Sequence, residues 1–206
     1  MTTLLLSAGM ATRLGDTAPG GCKALTPVGG KTMLGWWLDV DPNLTLVCRS
    51  EHVPHLYSSL VEVLTCDDGG GPAVAVRKAL PYCDGPITIA YADTWVPVNS
   101  VPRGLDWCGV AAVPGGRKWD VVEDGIAAYT HVPEGECALA CVGLYRFGDA
   151  ELLGKALDEA ITIARIEKRE AGMADALNIY GVSFRPVLGW QDVGDPHALN
   201  AWRRLE

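Results

Sequence analysis

Short unbroken apolar runs alternate along this chain with stretches in which apolar residues return every three or four positions. The runs Thr3–Ser7, Leu44–Cys48, Val61–Cys66 and Ile87–Asp93 are bounded by Gly, Pro, Asp or Asn and predict buried strands. Between them Lys31–Val40, His52–Leu60 and Pro72–Leu80 have helical spacing. Strands that alternate with helices predict a parallel sheet with helices on both faces. The pattern changes in the middle. Gly109–Val113, Trp119–Glu123, Ile126–His131 and Ala138–Phe147 are strand-like and joined by Gly turns such as Glu123-Asp124-Gly125, which predicts an antiparallel or mixed extension of the sheet. Asp149–Ala171 then predicts the longest helix. Asp149 is suited to its N-cap, and Leu152, Leu153, Ala156, Leu157, Ala160, Ile161 and Ala164 form its apolar stripe. Ala174–Tyr180 predicts a short helix, Ser183–Leu188 a last strand and Pro196–Leu205 a closing helix with Pro in its first turn. With no repeat, linker or low-complexity tract, residues 1–206 read as one α/β domain, a length that accommodates a full core.

Charge and cysteine usage narrow the partners. A formal net charge of −8 argues against nucleic acid and against an anionic membrane surface, both of which need basic stripes. The seven cysteines are odd in number and scattered. No C-x-x-C occurs, and Cys137 and Cys141 lack a second ligand pair, so buried reduced thiols are expected rather than a zinc site. Leu4–Leu6 is too short and lacks the basic flank of a secretory leader, and no run approaches the ~20 apolar residues of a membrane span. A cytoplasmic protein is expected.

Three clusters carry candidate chemistry. In the first, the strand Leu4–Ser7 runs into Ala8-Gly9-Met10-Ala11-Thr12-Arg13-Leu14, and ten residues after Arg13 comes Lys23 within Cys22-Lys23-Ala24-Leu25-Thr26-Pro27-Val28-Gly29-Gly30-Lys31. Small residues let backbone N–H groups approach phosphate oxygens, and the cations add charge where a triphosphate would lie. Neither a P-loop nor a G-x-G-x-x-G fingerprint is present. Lys23 and Lys31 are expected to face the same end of the sheet, at the carboxyl ends of the strands where open α/β sheets bind ligands. In the second cluster Asp93 ends the strand Ile87-Thr88-Ile89-Ala90-Tyr91-Ala92; it is suited either to capping a turn or to ligating Mg2+. The third is Gly189-Trp190-Gln191-Asp192-Val193-Gly194-Asp195-Pro196, in which Asp195 reads as the N-cap of the closing helix and Asp192 as the better second metal ligand.

Together these motifs resemble the sugar-1-phosphate nucleotidyltransferases, the pyrophosphorylase family with a Rossmann-like fold. That family carries, in order, a G-x-G-T-R-L loop, a P-K-x-L-x-P-V-x-G-K-P-M-L tail, an apolar strand ending in Asp, and W-x-D-x-G-T-P. Here the counterparts are Gly9–Leu14, Cys22–Leu34, Asp93 and Trp190–Pro196, covering nearly the whole chain. Gly69-Gly70-Gly71-Pro72-Ala73 stands where the family has a Gly loop touching the base. Val142-Gly143-Leu144-Tyr145-Arg146-Phe147 resembles its G-x-Y-x-F strand near the sugar, and Glu170 and Asp175 its Glu–Asp pair near the sugar hydroxyls. Turn, core and capping roles suit these residues equally well.

The resemblance implies a Rossmann-like, mixed but mostly parallel sheet of the nucleotide-diphospho-sugar transferase type, and an enzyme that condenses an NTP with a sugar 1-phosphate. It implies Mg2+ on Asp93 and Asp192, Arg13 on the leaving pyrophosphate and Lys23 at the α-phosphate. Backbone amides of Ala8, Gly9, Met10, Ala11 and Thr12 would line the triphosphate and Gly71 the base. Asp93, Gly143, Tyr145, Glu170 and Asp175 would stand near the substrate. The chain departs from the family in several places. Ala11 replaces a loop Gly, Cys22 replaces Pro, and Asp195 stands where the family has Thr. Thr130-His131-Val132-Pro133 replaces the Glu-Lys-Pro contact to the sugar phosphate, leaving His131 as the candidate substitute. These departures bear on the acceptor more than on the nucleotide. A cytidylyltransferase for phosphocholine is an alternative, with Trp36, Trp37, Trp95, Trp107 and Trp119 as material for an aromatic cage. A catalytically silent nucleotide or sugar-nucleotide sensor is another. The Arg–Met–Gly–Asp–Lys loop of molybdenum-cofactor guanylyltransferases is absent. No added regulatory domain is expected, and association into a homo-oligomer is compatible with all of this.

Overall fold

The computed structural model describes residues 2–9, 14–56, 61–194 and 199–200. Its centre is β1 (Thr2–Ser7), whose Leu4, Leu5 and Leu6 are almost fully buried. After a ribbon of β2 (Pro27–Val28) and β3 (Lys31–Thr32) come α1 (Met33–Val40), β4 (Thr45–Cys48), β5 (Glu62–Thr65), α2 (Pro72–Ala79) and β6 (Ile87–Tyr91). β1 pairs parallel with β4 on one side and β6 on the other, and β4 pairs parallel with β5. This is the parallel half that the alternating pattern predicts.

The second half begins with β7 (Thr94–Trp95), β8 (Trp107–Pro114), β9 (Arg117–Glu123), β10 (Ile126–Val132) and the long β11 (Cys137–Phe147). After α3 (Ala150–Ile166) and α4 (Met173–Tyr180), β12 (Ser183–Pro186) and β13 (Gln191–Asp192) complete the order. β11 runs antiparallel to β6 through Leu144–Phe147 and antiparallel to β8 along its other edge. On the edge shared with β6, but farther along, β11 meets β9 at Ala140 and Val121. The β9–β10 hairpin therefore stands past the carboxyl end of β6. The main sheet order is β10-β9-β11-β6-β1-β4-β5, with β8 against β11 and β12 parallel to β8.

Side-chain alternation along the strands divides the core in two. Leu4, Leu6, Ile87 and Ile89 face α2, α3 and α4, burying Ala73, Val76, Leu153, Leu157 and Leu177. Leu5, Leu46 and Ala90 face the other way, onto Met33 and Trp37 of α1 and onto Leu14, Ala18 and Cys22. Five cysteines, Cys22, Cys48, Cys66, Cys108 and Cys141, are buried. Among the described residues no helix is long and apolar enough to cross a membrane.

Three elements differ from the sequence pattern. Asp149 does cap α3, accepting from the Leu152 N–H at 2.9 Å, but the helix stops at Ile166 rather than Ala171. Lys168 adopts φ 55°, and the Arg169 N–H closes back on the Ala164 carbonyl at 3.0 Å, a left-handed terminus that Lys-Arg-Glu periodicity does not reveal. On the stripe of α3, Leu152 is exposed. The expected helix at 52–60 is a 3-10 stretch, Ser50–His55, interrupted in its pattern by Pro54; residues 57–60 lie outside the described residues. Lys31 and Thr32 belong to the β2–β3 ribbon, and Thr32 caps α1 by accepting from the Gly35 N–H. Most of the expected closing helix at 196–205 lies outside the described residues.

Candidate active site

The carboxyl ends of β1, β4, β5 and β6 open on a cleft of about 490 Å3 lined by Ser7, Ala8, Gly9, Lys23, Arg49, Gly69, Gly71, Pro72, Tyr91, Asp93 and Glu170, with Leu6, Cys66 and Ala75 as apolar wall. Each polar group arrives for a local reason. Ser7, the last residue of β1, accepts from the Ala24 N–H at 3.1 Å and lies 3.4 Å from Cys22 Sγ. It thus pins the turn carrying Lys23 against the strand end, and Cys22 occupies the place where the family has Pro. β6 ends beside β1 in register Leu6–Tyr91, so Asp93 emerges next to Lys23, and Lys23 Nζ donates to Asp93 Oδ2 at 2.5 Å.

Asp192 reaches the same place by another route. β13 pairs antiparallel with β7 in register Asp192–Thr94, and the Val193 N–H donates to the Asp93 carbonyl at 2.9 Å. A Cβ on Gly194 would lie 2.8 Å from Asp192 Oδ1 and 2.9 Å from Asp93 Oδ2, so the two carboxylates converge on the space this Gly leaves open. Burial first, and then the charge of Asp93, raise the Asp192 carboxyl above the ordinary carboxylate range; Arg117, ion-paired with Asp192 Oδ2, acts in the opposite sense.

On the far side of the cleft the Gly loop is stitched to the segment after α3. The Ala171 N–H donates to the Gly70 carbonyl at 2.8 Å and the Ala73 N–H to the Ala171 carbonyl at 3.0 Å. Gly71 caps α2 with φ 96°, and Pro72 takes the first helical position, where its missing N–H costs nothing. This stitch brings Gly71 and Glu170 to one cleft although nearly a hundred residues separate them. Asp175, in the first turn of α4, is held by Arg169 at 2.7 Å.

The other expected site residues fall as follows. Ala8 and Gly9 line the cleft, whereas Met10, Ala11, Thr12 and Arg13 lie outside the described residues, as does Asp195. Lys31 departs from expectation. The Gly29-Gly30 turn reverses the chain, so Lys31 pairs with Asp39 of α1 and does not face the cleft. Tyr145 is 1% exposed and sits behind Tyr91, with ring centroids 5.7 Å apart; Tyr91 is the tyrosine that reaches the cleft. Gly143, at φ 73°, lies under that ring, where a Cβ would come within 2.7 Å of it. His131 is exposed on β10 and does not line the cleft. Trp37 and Trp107 are buried, so a cage built from all five candidate tryptophans does not form.

Arg49, Tyr91, Asp120 and Arg117 escaped the sequence reading. Arg49 and Tyr91 follow the rule that located Asp93, since each stands at the end of a buried strand. Asp120, on β9, has its carboxyl pushed up to about 6 by burial and then by Asp175, with Arg169 opposing. Native Asp120 therefore holds a proton between pH ~4, the ordinary carboxyl value, and its raised value, while the unfolded chain does not. Stability contributed at this position falls as pH rises through that window. Asp120→Asn is expected to flatten this part of the pH–stability curve and to stabilise the fold at pH 8 by on the order of 2 kcal/mol. Urea unfolding of both proteins at pH 4.5 and 8 checks it; parallel curves would rule the account out.

A parallel half-sheet opening on a crevice and continued by an antiparallel half is the fold of the nucleotide-diphospho-sugar transferases. The chain belongs to the family of MobA-like NTP transferase domains, which its sequence matches over residues 3–131. Two of the solved structures that share the fold are similar over nearly their whole length. One, assigned provisionally as a glucose-1-phosphate thymidylyltransferase from Bacillus anthracis and solved in complex with a sucrose, superposes with TM-score 0.71 at 16% identity, covering 100% of this chain and 95% of that one. The other, CTP:phosphocholine cytidylyltransferase from Streptococcus pneumoniae, superposes with TM-score 0.73 at 11% identity, covering 99% and 98%. No curated protein sequence matches the chain.

Proposed function

We propose that this nucleotidyltransferase moves a nucleoside monophosphate from an NTP onto a sugar 1-phosphate in a Mg2+-dependent reaction, giving an NDP-sugar and pyrophosphate in the cytoplasm. The observation that carries the reading is the Lys23–Asp93 pair at the mouth of the cleft, with Asp192 converging on the same point. An acceptor phosphate oxygen attacks the α-phosphorus, the bond from that phosphorus to the β-phosphate bridging oxygen breaks, and pyrophosphate leaves. The attacking oxygen is already anionic, so the residues have charge to neutralise and geometry to hold rather than a proton to remove. Lys23 stabilises the α-phosphate, Arg13 the leaving pyrophosphate, and the backbone of Ala8–Thr12 the remaining oxygens. Gly71, which lines the cleft, stands beside the base.

The donor set fits Mg2+. Two carboxylate oxygens point at one space. Mg2+ characteristically takes one or two carboxylates and fills its octahedron with phosphate oxygens and water. Bound between Asp93 and Asp192, it would supply Lewis-acid neutralisation of the two phosphates. Glu170 in the cleft offers an acceptor to sugar hydroxyls, which favours the sugar reading over phosphocholine.

Pyrophosphate release, measured across the four common NTPs and dTTP against a panel of sugar 1-phosphates and phosphocholine, tests the proposal. Release with one sugar 1-phosphate, dependent on Mg2+ and lost in Asp93→Asn, is the expected result. Release only with phosphocholine would replace the sugar by that acceptor. Silence throughout, with an NTP still raising the unfolding temperature, would leave a sensor and no enzyme.

A further inference from the structure

Resting on the nucleotidyl transfer above, we infer that Arg117 is the residue that binds the acceptor's phosphate. The reaction must bring two anions together, and the dicarboxylate at its centre is held by two cations from opposite directions. Lys23 reaches Asp93 from the β1 side, where the Gly loop and the nucleotide-sized cleft lie. Arg117 reaches Asp192 from β9, on the hairpin that stands past the end of β6. The cation on the nucleotide side is thus assigned, and the one on the opposite side faces the direction from which the second phosphate must come for in-line attack.

The side chain is built to hold a phosphate. Its guanidinium lies 3.8 Å over the Trp119 ring, and Trp119 packs edge-on against Trp190 at 5.9 Å, so two aromatic rings fix the plane of the fork. A guanidinium carries five donors in a planar fork, so one side chain can serve more than one anion. Register adds a further point. Arg117 pairs with Val132 on β10, which sets it beside Thr130-His131-Val132-Pro133, a stretch containing neither Lys nor Arg. The cation this part of the hairpin presents comes from β9.

The test uses the substrate pair that releases pyrophosphate with the wild-type enzyme. Arg117→Gln keeps bulk over Trp119 and loses the charge. It should raise the acceptor KM about tenfold or more and leave the NTP KM within about twofold. Arg117→Lys restores charge without the fork and should recover part of the loss. Lys118→Gln, at the next strand position with its side chain over Tyr129, should leave both constants unchanged. An acceptor KM unmoved in Arg117→Gln, or acceptor and NTP KM rising in parallel, overturns the assignment. Should Arg117→Gln fail to fold by thermal unfolding, Arg117→Lys decides: a several-fold rise in acceptor KM alone supports the assignment, and a wild-type value overturns it. A wild-type protein silent with every pair defeats the transferase reading itself and is distinguishable from all of these.

Discussion

Asp93→Asn lowers turnover by about a hundredfold or more while the protein stays folded. The change is isosteric, so Lys23 keeps an oxygen acceptor within reach, and Ala92 and Val193 keep the backbone hydrogen bonds that hold the strand end in place. What is lost is the negative charge that answers Lys23 and, with Asp192, makes up the proposed cation-binding point beside Gly194. Removing one preorganised electrostatic partner of a phosphoryl group costs ~2.7–4 kcal/mol of transition-state stabilisation. The Lys23–Asp93 pair is partly buried, so a modest shift in thermal midpoint accompanies the change. Steady-state pyrophosphate release and a thermal melt on the same preparation separate the two effects. Wild-type turnover in the folded variant would remove Asp93 from the chemistry.

Gly71→Ala is expected to destabilise the fold by about 2–4 kcal/mol. At φ 96° and ψ 177° the backbone is in a region that only Gly occupies at ease. A Cβ there would lie 2.7 Å from the Ala171 carbonyl oxygen and 3.0 Å from its nitrogen. Both are backbone atoms, fixed by the hydrogen bonds to Gly70 and Ala73, so neither can swing away as a flexible side chain would. Relief requires the stitch between the Gly loop and the segment after α3 to open, which also moves Glu170 out of the cleft. Chemical denaturation should show the lost stability, and NTP-induced thermal stabilisation should shrink with it. A stability within 0.5 kcal/mol of wild type, roughly the size of an ordinary surface change, would contradict the strain argument.

The parallel half of the sheet was legible because strands buried on both faces are written as continuous apolar runs, and because phosphate sites lie at strand ends. Asp93 follows from those two facts, and Lys23 from the small-residue loop after the first strand; Ser7 was read only as a strand end. Glu170 and Gly71 were visible as motifs, but not the Ala171 hydrogen bonds that join them, which depend on Lys168 turning left-handed. Tyr145 and Tyr91 show the limit of a strand motif: alternation puts both on one face, and only packing decides which is in front. Lys31 was misdirected because a two-Gly turn reverses the chain, and a reversal changes which neighbour a cation meets. Arg117 carried no local signal; its partner stands seventy-five residues later, and only the sheet order joins them. The family and the fold class are both borne out.

β6 and the β9–β10 hairpin occupy successive lengths of one edge of β11. The strand that leads to Asp93 and the hairpin that carries Arg117 are therefore neighbours without being paired to each other. Sequence change at the Arg117–Val132 end of the hairpin can reshape the side proposed for the acceptor while the hydrogen-bond ladder beneath the cleft stays intact. On the proposed reading, one half of the site can change in sequence while the other is held by the sheet, an arrangement suited to diversifying the molecules that receive a nucleotide.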